Sequence, residues 1–263
     1  MNLHLKDKVV LITASSKGIG KAAAELFLNE GGKVVICSSN SDNLKIAADE
    51  LKSITGNEPL TGICDLNKPE DLTKIVKLAK EEFGKIDILV NNCGGPAPGM
   101  FDDLNDDKWQ HAVEQVLMSV VRLTREVLPG MKSNNWGRII NITSLSVKQP
   151  VDNLMLSNSL RSAVTAFAKT LSNEIGKNNI TVNNVAPGYT LTSRLHELAE
   201  NRAEDKGLSK EEILEEMASG VPMKRLADPL EVASMIIYLA SEQAGYITGQ
   251  TISVDGGVIK STY

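Results

Sequence analysis

Lys8-Val9-Val10-Leu11-Ile12-Thr13-Ala14-Ser15-Ser16-Lys17-Gly18-Ile19-Gly20 decides how the rest of the chain is read. Val9 to Ile12 is an apolar, partly β-branched run, the pattern of a strand buried on both faces of a parallel sheet. Small residues follow, so an anion can approach the backbone. Gly18 and Gly20 allow backbone angles and a helix–sheet approach that a side chain would block. Ala22-Ala23-Ala24-Glu25-Leu26-Phe27-Leu28 then reads as a helix whose free N–H groups and positive dipole end face the turn. Strand, small-residue turn and helix start in this order predict a site for a dinucleotide pyrophosphate. The usual spacing has three glycines, and Ala14 stands where the first belongs.

At 263 residues the chain has a size at which α/β folds are routinely one unit. It is 42% hydrophobic but only 4% aromatic, so aliphatic side chains must fill its core. A net charge of -5 and a pI near 5.4 argue against general nucleic-acid binding. No apolar run approaches the length of a membrane span, and Lys6, Asp7 and Lys8 precede the first apolar stretch, unlike a signal peptide. A cytoplasmic protein without membrane contact is expected. Cys37, Cys64 and Cys93 lack metal spacing and read as reduced thiols, and His4, His111 and His196 are scattered, so no metal site is expected.

Further along, Lys33 to Ser38 reads as a second strand and Asp42 to Ile54 as a helix ended by Gly56. Leu60 to Cys64 is a third strand, Pro69 to Phe83 a helix, and Ile86 to Val90 a fourth strand. Asp106 to Met131 reads as one long helical segment, followed by a strand from Arg138 to Thr143 and a helix from Leu154 to Ile175. Ile180 to Val185 is a sixth strand, Leu230 to Leu239 a last helix, and Thr251 to Val254 a seventh strand. This alternation predicts an α/β fold: a single Rossmann-type doubly wound domain over residues 1–263, with a seven-stranded, mostly parallel sheet flanked by helices. Ligands collect at the carboxyl ends of such strands. The charged, helical stretch 190–222 suits a mobile substrate lid.

The second strand ends in Ser38-Ser39-Asn40, without the acid that usually holds a ribose 2′-hydroxyl; Asp42 comes later. Hydroxyls there, with Lys17 in the phosphate turn, favour NADP(H) over NAD(H), although Ser-Ser-Asn also suits a helix cap.

Thr13 to Gly20, Asp65, Asn91-Asn92-Cys93-Gly94, Asn141-Ile142-Thr143-Ser144, Asn183 to Gly188, Ile247 to Gln250 and Val254 to Gly257 together resemble the short-chain dehydrogenase/reductase family. Along nearly its full length the chain looks most like the family's 3-oxoacyl-acyl-carrier-protein reductases. The resemblance implies a Rossmann fold, a nicotinamide cofactor, a small carbonyl or alcohol substrate, and a homotetramer or homodimer. It places Thr13, Ser15, Ser16, Lys17, Gly18, Ile19, Gly20, Ser38, Ser39 and Asn40 at the phosphate and ribose end. It places Asp65 and Leu66 at the adenine, Asn92 and Gly94 along the ribose, and Pro187, Gly188, Thr190 and Thr192 at the nicotinamide.

The catalytic positions depart from the family pattern. Ser144 matches the family's serine, but Ser157 stands at the tyrosine position, Arg161 at the lysine position and Val116 at that of a supporting asparagine. A serine hydroxyl is a weaker acid than tyrosine, and an arginine cannot shed its proton. Two readings follow. In one, an oxidoreductase uses Ser144, Ser157 and Arg161 with water as the proton source. In the other, the chain is a non-catalytic NADP(H)-binding protein or the partner subunit of an oligomer. Tyr189, beside the nicotinamide loop, and Trp109 and Trp136 read as packing residues, while Ser146 and Lys148 read as solvated loop residues.

Overall fold

In the computed structural model, which describes residues 2–262, the apolar opening run Val9–Ile12 is strand β1 and is wholly buried. Helix α1 (Gly18–Asn29), β2 (Lys33–Ser38), α2 (Ser41–Thr55), β3 (Leu60–Ile63), α3 (Pro69–Phe83) and β4 (Ile88–Asn91) complete the first half. The second half comprises α4 (Asp106–Ala112), a π-helical turn (Val113–Met118), α5 (Ser119–Ser133), β5 (Gly137–Ile142) and α6 (Met155–Ile175). It continues through β6 (Ile180–Pro187), α7 (Ser193–Lys206), α8 (Lys210–Gly220), α9 (Pro229–Ala240) and β7 (Thr251–Val254).

The seven strands run in the order β3-β2-β1-β4-β5-β6-β7, and every pairing is parallel, so the expected "mostly parallel" sheet is wholly so. Strand order reverses between β1 and β4, which opens a crevice at the carboxyl ends there. One face is covered by α1, α2 and α9 through residues such as Phe27, Leu51 and Ile236. The other is covered by α3, α5 and α6 through Leu72, Val127 and Ile175.

The expected single helix from Asp106 to Met131 is interrupted by the π-helical turn. Ala112, Val116 and Val120 pack against Leu156, Leu160 and Val164 of α6. Residues spaced by four drift around an ordinary helix of 3.6 residues per turn, and a wider turn brings them back into line. Strand ends also move. β4 begins at Ile88 rather than Ile86, and β6 runs on to Pro187 because Asn184 to Pro187 pair with β7.

A side-chain ladder crosses the carboxyl-end half of the sheet. Asn91, Asn141 and Asn184 share one register row, the Asn91 amide donates to Asn141 Oδ1 at 2.9 Å, and the Asn141 amide donates to Asn184 Oδ1 at 2.9 Å. The Asn184 amide ends the row on Thr251 Oγ1 at 3.1 Å.

Candidate active site

The turn after β1 is built from internal hydrogen bonds. Thr13 Oγ1 donates to the Asn92 carbonyl at 2.6 Å and accepts the Asn92 N–H at 2.8 Å. Ser15 Oγ donates to the Ile12 carbonyl at 2.7 Å and accepts the Cys37 N–H at 3.0 Å. Thr13 and Ser15 thus join β1 to β4 and β2, while Ser16 Oγ bonds Ser38 Oγ at 3.2 Å. Ala14 takes the left-handed conformation, φ 44°, where the usual motif has glycine. The Asn92 amide holds the Ala14 carbonyl at 2.9 Å, and a Cβ on Gly20 would sit 2.8 Å from that same amide. Only glycine fits there.

Five other helices start with a side-chain cap: Asn40, Asn105, Thr192, Ser209 and Asp228. Helix α1 has none, and no acid lies in its first turn. Its N–H groups remain available, the dipole is uncompensated, and Lys17 beside them is exposed with no partner among the described residues. These features fit an anionic phosphate.

At the end of β2, Ser38 Oγ accepts the Asn40 N–H at 3.2 Å, and Asn40 Oδ1 accepts the Asn43 N–H at 2.8 Å to cap α2. Ser39 is exposed, and the first acid after it is Asp42. The Asp65 carboxylate accepts the backbone and side-chain N–H groups of Asn67, both at 3.0 Å, and these bonds hold it below the usual carboxylate range. Leu66 is buried in the core, which leaves its backbone as the part a cofactor could meet.

A cleft of about 310 Å³ opens at the reversal of strand order. Ala14, Lys17, Gly18 and Ile19 form one end. Asn92, Gly94, Pro187, Gly188, Thr190 and Thr192 form its walls, and Ser144, Ser157 and Arg161 lie along it. Thr190 and Thr192 hydroxyls donate to the Gly188 and Thr190 carbonyls at 3.1 Å and 3.3 Å, which shapes the loop into α7. Of the expected cofactor residues, Thr13, Ser15, Ser16, Gly20, Ser38, Ser39, Asn40, Asp65 and Leu66 lie outside this cleft lining.

Ser144 Oγ accepts the Ser146 N–H at 3.1 Å, which leaves its own proton free to donate. Ser157 is 93% buried (7% exposed), lines the cleft, and makes no hydrogen bond through its hydroxyl among the described residues. Arg161, expected among the catalytic residues, is already engaged by the backbone. Its Nη1 donates to the carbonyls of Ile142 at 2.9 Å and Thr143 at 3.2 Å, and its Nη2 lies 3.6 Å from Cys93 Sγ. The guanidinium therefore caps the carboxyl end of β5, a job its fork of donors suits. Sequence reasoning read Cys93 only as a reduced thiol in the Asn91-Asn92-Cys93-Gly94 motif, because its contact with Arg161 joins two remote segments.

Ser146, expected to be solvated, is buried with an unpartnered hydroxyl, because the short turn Leu145–Val147 tucks inward beneath α6. Tyr189 lines the cleft and packs on the cluster of Leu195, Ala199, Ala203, Ile213 and Met217 that joins α7 to α8. Arg194 Nη2 donates to the Pro96 carbonyl at 2.8 Å and ties α7 to the loop after β4. A Cβ on Gly95 would lie 2.5 Å from Arg194 Nε, so a larger residue there would push the guanidinium aside. The three cysteines are free thiols. Among the described residues no group of His, Cys, Asp and Glu could hold a metal, and no helix is long and apolar enough to cross a membrane.

Comparison with known proteins gives four results. A family model described as enoyl-(acyl carrier protein) reductase matches residues 13–259. The NADPH-dependent reductase BacG of Bacillus subtilis is 33% identical over 258 residues, 98% of this chain and 100% of that protein. The 3-oxoacyl-[acyl-carrier-protein] reductase FabG of Vibrio cholerae is 34% identical over 97% of this chain and 99% of that protein. Among solved structures, L-sorbose reductase from Gluconobacter frateurii, complexed with NADPH and L-sorbose, superposes with a TM-score of 0.94 at 37% identity over 99% of this chain and 100% of that one.

Proposed function

The chain belongs to the short-chain dehydrogenase/reductase family, and on that premise we propose that it is an NADP(H)-dependent oxidoreductase acting on a carbonyl/alcohol pair through an atypical active site. The observation that carries the reading is a single cleft with an uncapped helix start and free Lys17 at one end and the hydroxyls of Ser144 and Ser157 along it. Relatives that bind or depend on NADPH support the choice of coenzyme. So does the absence of an acid in Ser38-Ser39-Asn40, since a 2′-phosphate would meet no carboxylate there.

The residues fit that coenzyme. Lys17 and the first N–H groups of α1 would hold its phosphates, Ser38, Ser39 and Asn40 its 2′-phosphate, and Pro187, Gly188, Thr190 and Thr192 would line its nicotinamide end. Bound there, it supplies a hydride to the carbonyl carbon. The substrate oxygen then gains negative charge, and Ser144 donates its free proton in a hydrogen bond to it. Ser157, buried without a partner, is the second donor. A water delivers the proton that the oxygen takes and regains one from solvent, so the net change is one hydride and one proton added to the C=O bond. Arg161 holds the end of β5, and thereby Ser144, in place. Its positive charge steadies the oxyanion at short range. Without the family's tyrosine, the proton step is expected to run about 10² to 10⁴ slower than with a positioned acid.

Oxidation of NADPH in the presence of small ketones and aldehydes tests the reading. Turnover that falls at least about tenfold in Ser157→Ala and in Arg161→Ala supports the roles given to them, and unchanged rates in both refute them. A second reading has its own support: Ser157, Arg161 and Val116 at the family's tyrosine, lysine and asparagine positions also fit a non-catalytic NADP(H)-binding subunit. Saturable NADPH binding by fluorescence, with no turnover across carbonyls and alcohols, favours it. Either reading carries the family expectation of a homotetramer or homodimer, which sedimentation velocity measures.

A further inference from the structure

The cleft is lined by four cationic side chains, Lys17, Arg161, Arg194 and Arg202, and by no Asp or Glu. Their commitments differ. Lys17 stands at the phosphate turn, and Arg161 is bound to the carbonyls of Ile142 and Thr143. Arg194 is held by the Pro96 carbonyl and lies 3.5 Å from Glu197. Arg202 has no hydrogen bond or ion pair among the described residues, although it is half-buried and faces the cleft.

This arrangement is not the even charge of a solvated helix. Helix α7 carries four acids, Glu197, Glu200, Glu204 and Asp205, and all four are exposed and none lines the cleft. Leu195, Leu198 and Arg202 fall on the face turned inward, with Arg194 beside them. The helix therefore sorts its charges by side, with acids outward and arginines inward. An uncommitted guanidinium in a cleft without carboxylates lacks a counter-charge, and the cheapest supply is the ligand itself.

Resting on the reductase reading above, we infer that the substrate is an oxo acid, a carbonyl compound whose far end carries a carboxylate seated against Arg202. Ser144 and Ser157 take the carbonyl oxygen, and Leu195, Leu198 and Met217 line the space between the two polar ends. One free guanidinium matches the single charge of a carboxylate. A phosphate monoester, with about -1.5 to -2 charges, would be left partly uncompensated.

The test is NADPH oxidation by the full chain with acetoacetate, levulinate and phenylpyruvate, each against its methyl ester. The acids are expected to exceed their esters in kcat/KM by about tenfold or more, through KM, and the ratio is expected to collapse in Arg202→Gln. Esters as good as the acids, or an unaltered ratio in Arg202→Gln, overturn the inference while leaving the reductase reading intact. If no compound turns over, calorimetric titration of the same acids into the protein–NADP⁺ complex decides. Binding that Arg202→Gln abolishes keeps the anion site and removes the catalytic reading, and no binding of any acid overturns the anion site.

Discussion

Asn141 holds two neighbours at once, and its removal shows what a buried polar row is worth. Its amide donates to Asn184 and its carbonyl oxygen accepts from Asn91, in a part of the sheet closed to water. Asn141→Ala leaves a donor and an acceptor buried without partners, so a loss of about 2–4 kcal/mol is expected in urea unfolding. A loss below about 1 kcal/mol would mean that relaxation or water repairs the row. The row also bears on the site, because Ser144 follows β5 by two residues and its place depends on that strand's seating. At the same scale, Ser157 and Arg161 are not two degraded copies of a tyrosine and a lysine. One is an unengaged hydroxyl in the cleft, and the other is a clamp on β5.

Helix α9 is the element whose start is most fully satisfied, and it covers the sheet beside α1. Asp228 accepts the Leu230 N–H at 2.8 Å, and Glu231 accepts the Asp228 N–H at 2.9 Å. Arg225 grips both oxygens of Glu231 at 2.6 Å. The Arg225 guanidinium, with the Asp228 N–H behind it, pulls the Glu231 carboxyl down from 4.5 to about 2. A depressed carboxyl lends stability that is complete above its ordinary value and is lost as pH falls through the folded one. The window for this pair is therefore pH 4.5 down to about 2. Arg225→Gln is expected to move the Glu231 titration, followed by NMR, back toward 4.5. A midpoint that stays near 2 would assign the shift to the helix start instead. Helix α1 is the opposite case: it lacks both cap and acid, so its first N–H groups stay available to the phosphate proposed for that turn.

Across the molecule, α7 and α8 form a small body with their own apolar cluster. Arg194 on the Pro96 carbonyl ties this body to the loop after β4 and passes close to Gly95. Arg194→Ala is expected to speed proteolytic cleavage within residues 193–222 by about tenfold without changing the melting of the rest, since local opening sets such rates. Equal cleavage rates would show that apolar packing alone holds this body in place. The same body presents Arg202 to the cleft, where the proposed carboxylate would sit.

Periodicity and punctuation made the elements legible: apolar runs bounded by glycine gave the strands, and Pro69 and Gly84 bracketed α3. Alternation of strand and helix then required a doubly wound parallel sheet, because a right-handed crossover leaves few other layouts. Local pattern also marked the turn expected to take a phosphate and the family positions, since these depend on residues adjacent in sequence. It could not register that Arg161 is committed to β5, that Asn91, Asn141 and Asn184 stand in one row, or that α7 turns its arginines inward and its acids outward. Those facts arise where segments tens of residues apart are brought into contact by the packing of helices on the sheet. Sequence by itself determined the alternation of strands and helices and hence the parallel sheet they build; only tertiary structure decided which polar groups remain unspent, because each hydrogen bond depends on a partner that folding alone brings within reach.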